Sequence, residues 1–150
     1  LIQVVIILAT IPMALSGGVW LLYLLGYDLS VAVAVGFIAL AGVAVEIGVV
    51  MLTYLNLALA SHRRDGESGV SALVAAVRDG AQRRLRPVVM TATATIAGLI
   101  PIMLGSGTGS EVMRRIAAPM VGGLVTTLVL ALIVLPAVYV LVYRRSTVQG

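Results

Sequence analysis

The sequence has no cysteine, no lysine and a single histidine, and only 11% of its 150 residues are charged. Without cysteine there is no disulfide framework, no thiol catalysis and no thiolate metal site, and His62 alone cannot form a zinc cluster. Aromatic residues are scarce and do not interleave with the arginines, so nucleic-acid binding is not indicated. No Ser/His/Asp set, carboxylate pair or phosphate-binding motif supports hydrolysis or nucleotide binding.

Apolar residues are abundant instead. They make up 61% of the chain, against roughly 45 to 50% in soluble domains, and the mean hydropathy is +1.13. A transmembrane helix needs about 20 mainly apolar residues, and four such stretches are present. The sequence therefore predicts an all-α membrane protein with a single bundle. The four spans are expected at about residues 2–25, 31–58, 87–104 and 111–143.

The connections carry further signals. A polar loop at 61–69 precedes an amphipathic stripe that is too short to span, which predicts a separate interfacial helix at about 69–83 on the headgroup surface. Thr108 and Glu111 have the spacing of a capping box at the start of the fourth helix. Pro119 and Pro136 predict bends within that helix.

The arginines predict the orientation. Eight of them lie on one side of the predicted spans, six between the second and third spans and two in the tail, whereas only Arg114 and Arg115 lie on the other. By the positive-inside rule both ends of the chain are expected in the cytoplasm, with the arginines near anionic lipids. The chain opens on Leu1 without the features of a signal peptide, so we expect a fragment of a longer protein.

Glu46 is the strongest candidate functional residue, because a carboxylate at mid-span costs roughly 2.5 to 3.5 kcal/mol on insertion scales and marks proton or ion pathways. A hydrogen-bonded structural glutamate is the alternative. Thr91 and Thr95 share a helix face and could bridge water to Glu46, or bond to their own helix. Met113, beside the glycine-rich loop, could ligate a soft metal ion or serve packing.

Three segments resemble the heavy-metal efflux branch of the resistance-nodulation-division (RND) transporters. They are residues 37–55 with Glu46, residues 84–91 with the Arg-Leu-Arg-Pro sequence, and residues 107–123 with Met113. The resemblance covers nearly the whole chain and implies the last four of twelve transmembrane helices. It further implies that Glu46 belongs to a proton relay and that Met113 lies on a metal route.

The resemblance also implies a secondary active transporter of the bacterial inner membrane, a proton/cation antiporter that is not an enzyme and carries no cofactor. Its expected partners are two further copies in a homotrimer, a periplasmic adaptor and an outer-membrane channel. Copper/silver (Cus-type) members have a lysine where this chain has Val88, and cobalt/zinc (Czc-type) members tolerate an apolar residue there. The segment around Met113 is more Cus-like, so the metal stays open.

Two other functions fit parts of the sequence. One is an RND exporter of organic drugs, but such pumps usually place their charged relay residues elsewhere than Glu46. The other is a small stand-alone four-helix transporter or scaffold. Small multidrug exporters carry the membrane acid in the first helix, whereas here it lies in the second.

Overall fold

The computed structural model describes residues 1–66 and 69–148, and these residues form helices joined by short turns, with no strand among them. Four of the helical stretches are long and apolar enough to cross a membrane, which confirms the predicted all-α fold. The helices are α1 (Ile2–Leu25), α2 (Val31–Arg64), α3 (Val70–Leu104), α4 (Ser110–Val129), a π-helical turn (Leu130–Val134) and α5 (Leu135–Val148).

The first turn has well-defined helix ends. Gly26 has a φ of 68°, a left-handed conformation that suits glycine, and its N–H bonds back to the carbonyls of Leu22 and Tyr23. Ser30 then caps α2, because its hydroxyl accepts a hydrogen bond from the Val33 N–H at 3.4 Å. The predicted first span is confirmed, and α2 begins where the second span was expected.

The region between the second and third spans differs from the prediction. The separate interfacial helix at about 69–83 is absent, and α3 runs without interruption through Pro87. Of the predicted polar loop, residues 67 and 68 lie outside the described residues, and α2 continues to Arg64.

The reason is a helix partner that the sequence pattern did not reveal. The second half of α2 supplies apolar side chains, and Leu73, Ala76 and Val77 of α3 are buried in one cluster with Leu55 and Leu59 of α2. The amphipathic stripe is therefore in large part a helix–helix contact. Val70 and Val74 stay exposed.

The start of the fourth span also differs. The helix begins at Ser110, its N-cap is Gly109 with a φ of 87°, and no side chain caps it, so the predicted capping box of Thr108 and Glu111 is wrong. Gly109 takes the cap position, which leaves Thr108 one residue outside the helix. The Ser110 hydroxyl donates to the Gly107 carbonyl at 2.7 Å instead.

The fourth span continues through buried Pro119 and changes its helical pattern only before Pro136. Pro136 has no N–H to donate to the carbonyl four residues back. The Leu135 N–H bonds to the Leu130 carbonyl, five residues back, so one π-helical turn separates α4 from α5. Of the two prolines, Pro136 is the one that follows a change of helical pattern, and the bends themselves stay a prediction.

Glycines bring α1, α2 and α4 into close contact. A Cβ on Gly17 would lie 1.7 Å from Thr126 Oγ1, and one on Gly122 would lie 2.6 Å from the Gly17 carbonyl oxygen. On α2, a Cβ at Gly36 would lie 2.4 Å from the Ile116 carbonyl oxygen. Only glycine permits these backbone approaches, which replace hydrophobic driving force in membrane helix packing.

Candidate functional site

Glu46 lies at mid-length on α2, on a face that no other described helix covers. Gly42, Val49 and Thr53 are exposed on the same face. Within residues 1–66 and 69–148 the Glu46 carboxylate makes no hydrogen bond or ion pair. A carboxylate in this position cannot face lipid at low cost, so the face requires a polar partner or water.

Two glycines leave open space on the outer surface of the bundle. A Cβ added to Gly42 on α2 or to Gly98 on α3 would meet nothing within 4 Å. Glycine in a helix interior costs about 1 kcal/mol relative to alanine, and here no contact within the described bundle offsets that cost. Gly42, one turn from Glu46 on α2, therefore leaves room for water or another helix beside the carboxylate.

Thr91 and Thr95 do not meet Glu46 in the structure. The Thr91 hydroxyl donates to the Pro87 carbonyl at 3.0 Å, and the Thr95 hydroxyl donates to the Thr91 carbonyl at 2.8 Å. Thr91 is exposed and Thr95 is half-buried. Each oxygen keeps lone pairs that can accept a hydrogen bond from water. Their part in a relay stays a prediction.

Val88, at the position where Cus-type pumps carry a lysine, is only 3% exposed. It belongs to the apolar cluster that includes Met51 and Leu55 of α2. In this chain the Val88 side chain packs in this apolar cluster and carries no charge.

Met113 lies in the first turn of α4 and is 56% exposed. It borders a shallow depression lined by Ile102, the loop residues 105–110 and Met113 itself. No group of three or more His, Cys, Asp or Glu side chains that could hold a metal ion occurs among the residues described. Among the residues that line this depression, Met113 is the one with a soft donor atom.

The two arginines beside Met113 have intramolecular partners that the sequence did not suggest. The Arg114 guanidinium donates to the carbonyl oxygen of Gly105, at the end of α3. The Arg115 guanidinium carbon lies 5.8 Å from the centre of the Tyr27 ring. These contacts give both arginines a structural role within the chain.

A polar network at the opposite end of the bundle was also missed. Asn56 Oδ1 accepts hydrogen bonds from Gln3 Nε2 at 3.0 Å and from the Tyr139 hydroxyl at 2.7 Å. Gln3 Nε2 also donates to the Tyr143 hydroxyl at 2.9 Å, and the two tyrosine rings stack with centroids 4.4 Å apart. The available signal was the presence of Gln3 and Asn56 inside apolar spans.

Arg84 lies near the same end, on the boundary between α2 and α3. Its guanidinium carbon is 5.2 Å from the centre of the Tyr54 ring, and its Nε is buried without a hydrogen-bond partner among the described atoms. The contact ties the two long helices together where α3 enters its apolar half.

Nearly the whole chain is similar in sequence to known proteins. The sequence profile described as the AcrB/AcrD/AcrF family matches residues 1–143. The cation efflux system protein CusA of Escherichia coli (strain K12) is 49% identical over 144 residues, which are 94% of this chain and 14% of CusA. The cobalt-zinc-cadmium resistance protein CzcA of Cupriavidus metallidurans is 45% identical over 136 residues, 91% of this chain and 12% of CzcA.

A solved structure agrees with these sequence matches. The crystal structure of a heavy metal efflux pump, crystal form I, superposes with a TM-score of 0.80 at 46% identity. It covers 93% of this chain, and the match takes up 14% of the pump chain. The chain thus spans about a seventh of the length of the relatives and the structure that it matches.

Proposed function

The chain belongs to the AcrB/AcrD/AcrF family, and from this membership we propose that it is the C-terminal transmembrane part of a proton-driven heavy-metal cation efflux pump. The identities of 49% to CusA and 45% to CzcA, both named for cation efflux or metal resistance, support a metal cargo over organic drugs. The four long apolar helices support a multi-pass location in the bacterial inner membrane.

Glu46 is the proposed proton carrier. The observation that carries this proposal is the position of its carboxylate, at mid-span on a face that the described helices leave uncovered. When protonated, the side chain can pack against a neighbouring helix, because a neutral carboxyl costs little to bury once it is hydrogen-bonded. When ionised, it requires water or a cation.

Proton binding and release at Glu46 would therefore change which helix arrangement is favoured. A ligand shifts a conformational equilibrium by its difference in affinity for the two states, and here the proton is the ligand. In the proposed cycle this shift moves the rest of the pump, which includes the metal-carrying domain. Thr91 and Thr95 are proposed to pass protons through water.

The metal and the assembly follow from the same family relationship. Met113 is proposed to contact a soft cation on the outward side, and the pump is proposed to act as a homotrimer with a periplasmic adaptor and an outer-membrane channel. The relatives include pumps named for different metals, and Val88 and Met113 point to different branches. The transported ion is therefore left to experiment.

Growth of a metal-sensitive bacterium tests the proposal. The full-length pump is expressed as wild type, Glu46→Gln or Glu111→Gln, and growth is measured across copper, silver, zinc, cobalt and cadmium. Glu111 is the control, because it is an exposed acid in the first turn of α4. The proposal expects protection by wild type and Glu111→Gln and none by Glu46→Gln at equal expression. No protection by wild type against any of the five metals would contradict it.

A further inference from the structure

Met113 lies in the first turn of α4, and this turn has no side-chain cap. The N-cap of α4 is Gly109, and no side chain accepts the free N–H groups of the first turn. The preceding loop contains two glycines with positive φ, Gly107 at 146° and Gly109 at 87°. Contacts other than a capping side chain therefore hold this turn.

Arg114 supplies such a contact. Its guanidinium donates to the carbonyl oxygen of Gly105, the C-cap residue of α3. The end of a helix carries partial negative charge on its unpaired carbonyls, so a guanidinium there is electrostatically favourable. The hydrogen bond joins the C-cap residue of α3 to the beginning of α4 and encloses the loop between them.

Further hydrogen bonds lie within the enclosed loop and at the start of α4. The Gly107 carbonyl accepts the Ser110 N–H at 3.1 Å and the Ser110 hydroxyl at 2.7 Å. The Met113 N–H reaches the Gly109 carbonyl at 3.4 Å, at the long limit of a hydrogen bond. Met113 thus depends for its position on a loop whose two ends Arg114 holds together.

We propose that Arg114 is a positioning residue for Met113, holding the thioether at the edge of the loop depression where a soft cation would bind. This inference rests on the proposed metal route and adds a residue to it. Groups that orient a metal ligand without touching the metal typically change affinity by about 10- to 100-fold when they are removed. Arg114 would act in this way from the neighbouring position.

Arg115 offers a matched control. It is also half-buried and also lies in the first two turns of α4, but its guanidinium stacks on Tyr27 of the other outer loop. Its removal deletes one positive charge and one interhelical contact at the same depth. It leaves the Arg114–Gly105 hydrogen bond in place.

The test is a double-mutant cycle on the full-length pump in proteoliposomes, with uptake of Ag⁺ and of Zn²⁺ measured in parallel. The variants are Met113→Leu, Arg114→Gln, Arg115→Gln, and the double variants of Met113→Leu with each arginine change. For Ag⁺ we expect both Met113→Leu and Arg114→Gln to raise KM about tenfold with little change in kcat. The Met113→Leu/Arg114→Gln double should match Met113→Leu alone, and Arg114→Lys should restore most of the wild-type KM.

The outcomes separate the two proposals. If the effects of Arg114→Gln and Met113→Leu multiply, as those of Arg115→Gln and Met113→Leu should, Arg114 does not act through Met113 and the inference is overturned while the metal route stands. If Met113→Leu leaves KM unchanged, or if only Zn²⁺ is transported, the route through Met113 fails and the positioning role fails with it. A wild-type pump that carries neither ion also removes the route through Met113, and one that in addition protects against none of the five metals overturns the proposed function itself.

Discussion

The Tyr139 hydroxyl of α5 donates a 2.7 Å hydrogen bond to Oδ1 of Asn56 in α2. The same oxygen accepts a second hydrogen bond from Gln3 of α1, so one amide joins three helices. Tyr139 is fully buried among apolar side chains, where an unpaired hydroxyl would be costly. This network fixes the relative positions of the helices at the end of the bundle opposite to Met113.

Replacement of Tyr139 by phenylalanine tests the network. The change removes one buried hydrogen bond and leaves Asn56 with fewer partners, which should lower the free energy of unfolding by about 1 to 2 kcal/mol. The midpoint of thermal unfolding of the detergent-solubilised pump reports this loss. Tyr23→Phe is the control, because the Tyr23 side chain is 79% exposed. Equal midpoints for the two variants would show that the network contributes no stability.

The glycine contact between α1 and α4 makes a second prediction. Gly17→Ala places a methyl group 1.7 Å from Thr126 Oγ1 and 2.8 Å from the Gly122 carbonyl, so the two helices must separate. We expect a strong loss of folded pump in the membrane, measured as monodisperse protein after detergent extraction. Gly48→Ala is matched to it, since a methyl group there has only ordinary contacts at 3.9 Å or more and should be tolerated. Normal yield of Gly17→Ala would contradict the crossing geometry.

The placement of the first half of α3 is tested by two neighbouring alanines. Ala76 is fully buried against the bundle, whereas Ala75 is exposed. Ala76→Gln should destabilise the pump by about 2 kcal/mol or more, because it forces a polar side chain into a packed contact. Ala75→Gln should have little effect. If this segment lay flat on the headgroups with its stripe toward lipid, Ala76→Gln would be tolerated as well.

Thr91 provides a prediction for the proposed relay. Thr91→Val keeps the shape of the side chain but removes the hydroxyl, and we expect slower metal-driven proton flux with unchanged unfolding temperature. Thr91→Ser retains the hydroxyl and should keep most of the rate. Thr93→Val, an exposed threonine about 160° away around the same helix, serves as the control. Equal fluxes in Thr91→Val and Thr93→Val would remove Thr91 from the relay.

The sequence predicted the number, type and approximate ends of the spans, because runs of apolar residues and glycine or serine at helix ends act locally. It did not predict that α3 continues through Pro87, since that depends on the partner surface that the second half of α2 presents, with Leu55 and Leu59. The same limit applies to the start of α4. Thr108 and Glu111 have capping spacing, but the left-handed Gly109 takes the cap position.

For the functional residues, too, the sequence indicated some features and only the fold revealed the others. Glu46 stands out in the sequence because a carboxylate interrupts an apolar run, but only the fold reveals that it points away from the other three spans. Arg114 looked like a topological charge, and its role depends on the Gly105 carbonyl that the loop brings back to it. Gln3 and Asn56 were visible as polar residues in apolar helices, yet their tyrosine partners lie 140 and 83 residues further along the chain, respectively.

Protonation of Glu46 is proposed to couple proton movement to metal export. The most direct measurement is metal-driven proton flux through the full-length pump in proteoliposomes, with a pH-sensitive dye inside and the metal that supports growth added outside. We expect flux from wild type and from Glu111→Gln, and none from Glu46→Gln reconstituted at equal density. Proton flux in Glu46→Gln equal to that of wild type would contradict the account and leave Glu46 a structural residue.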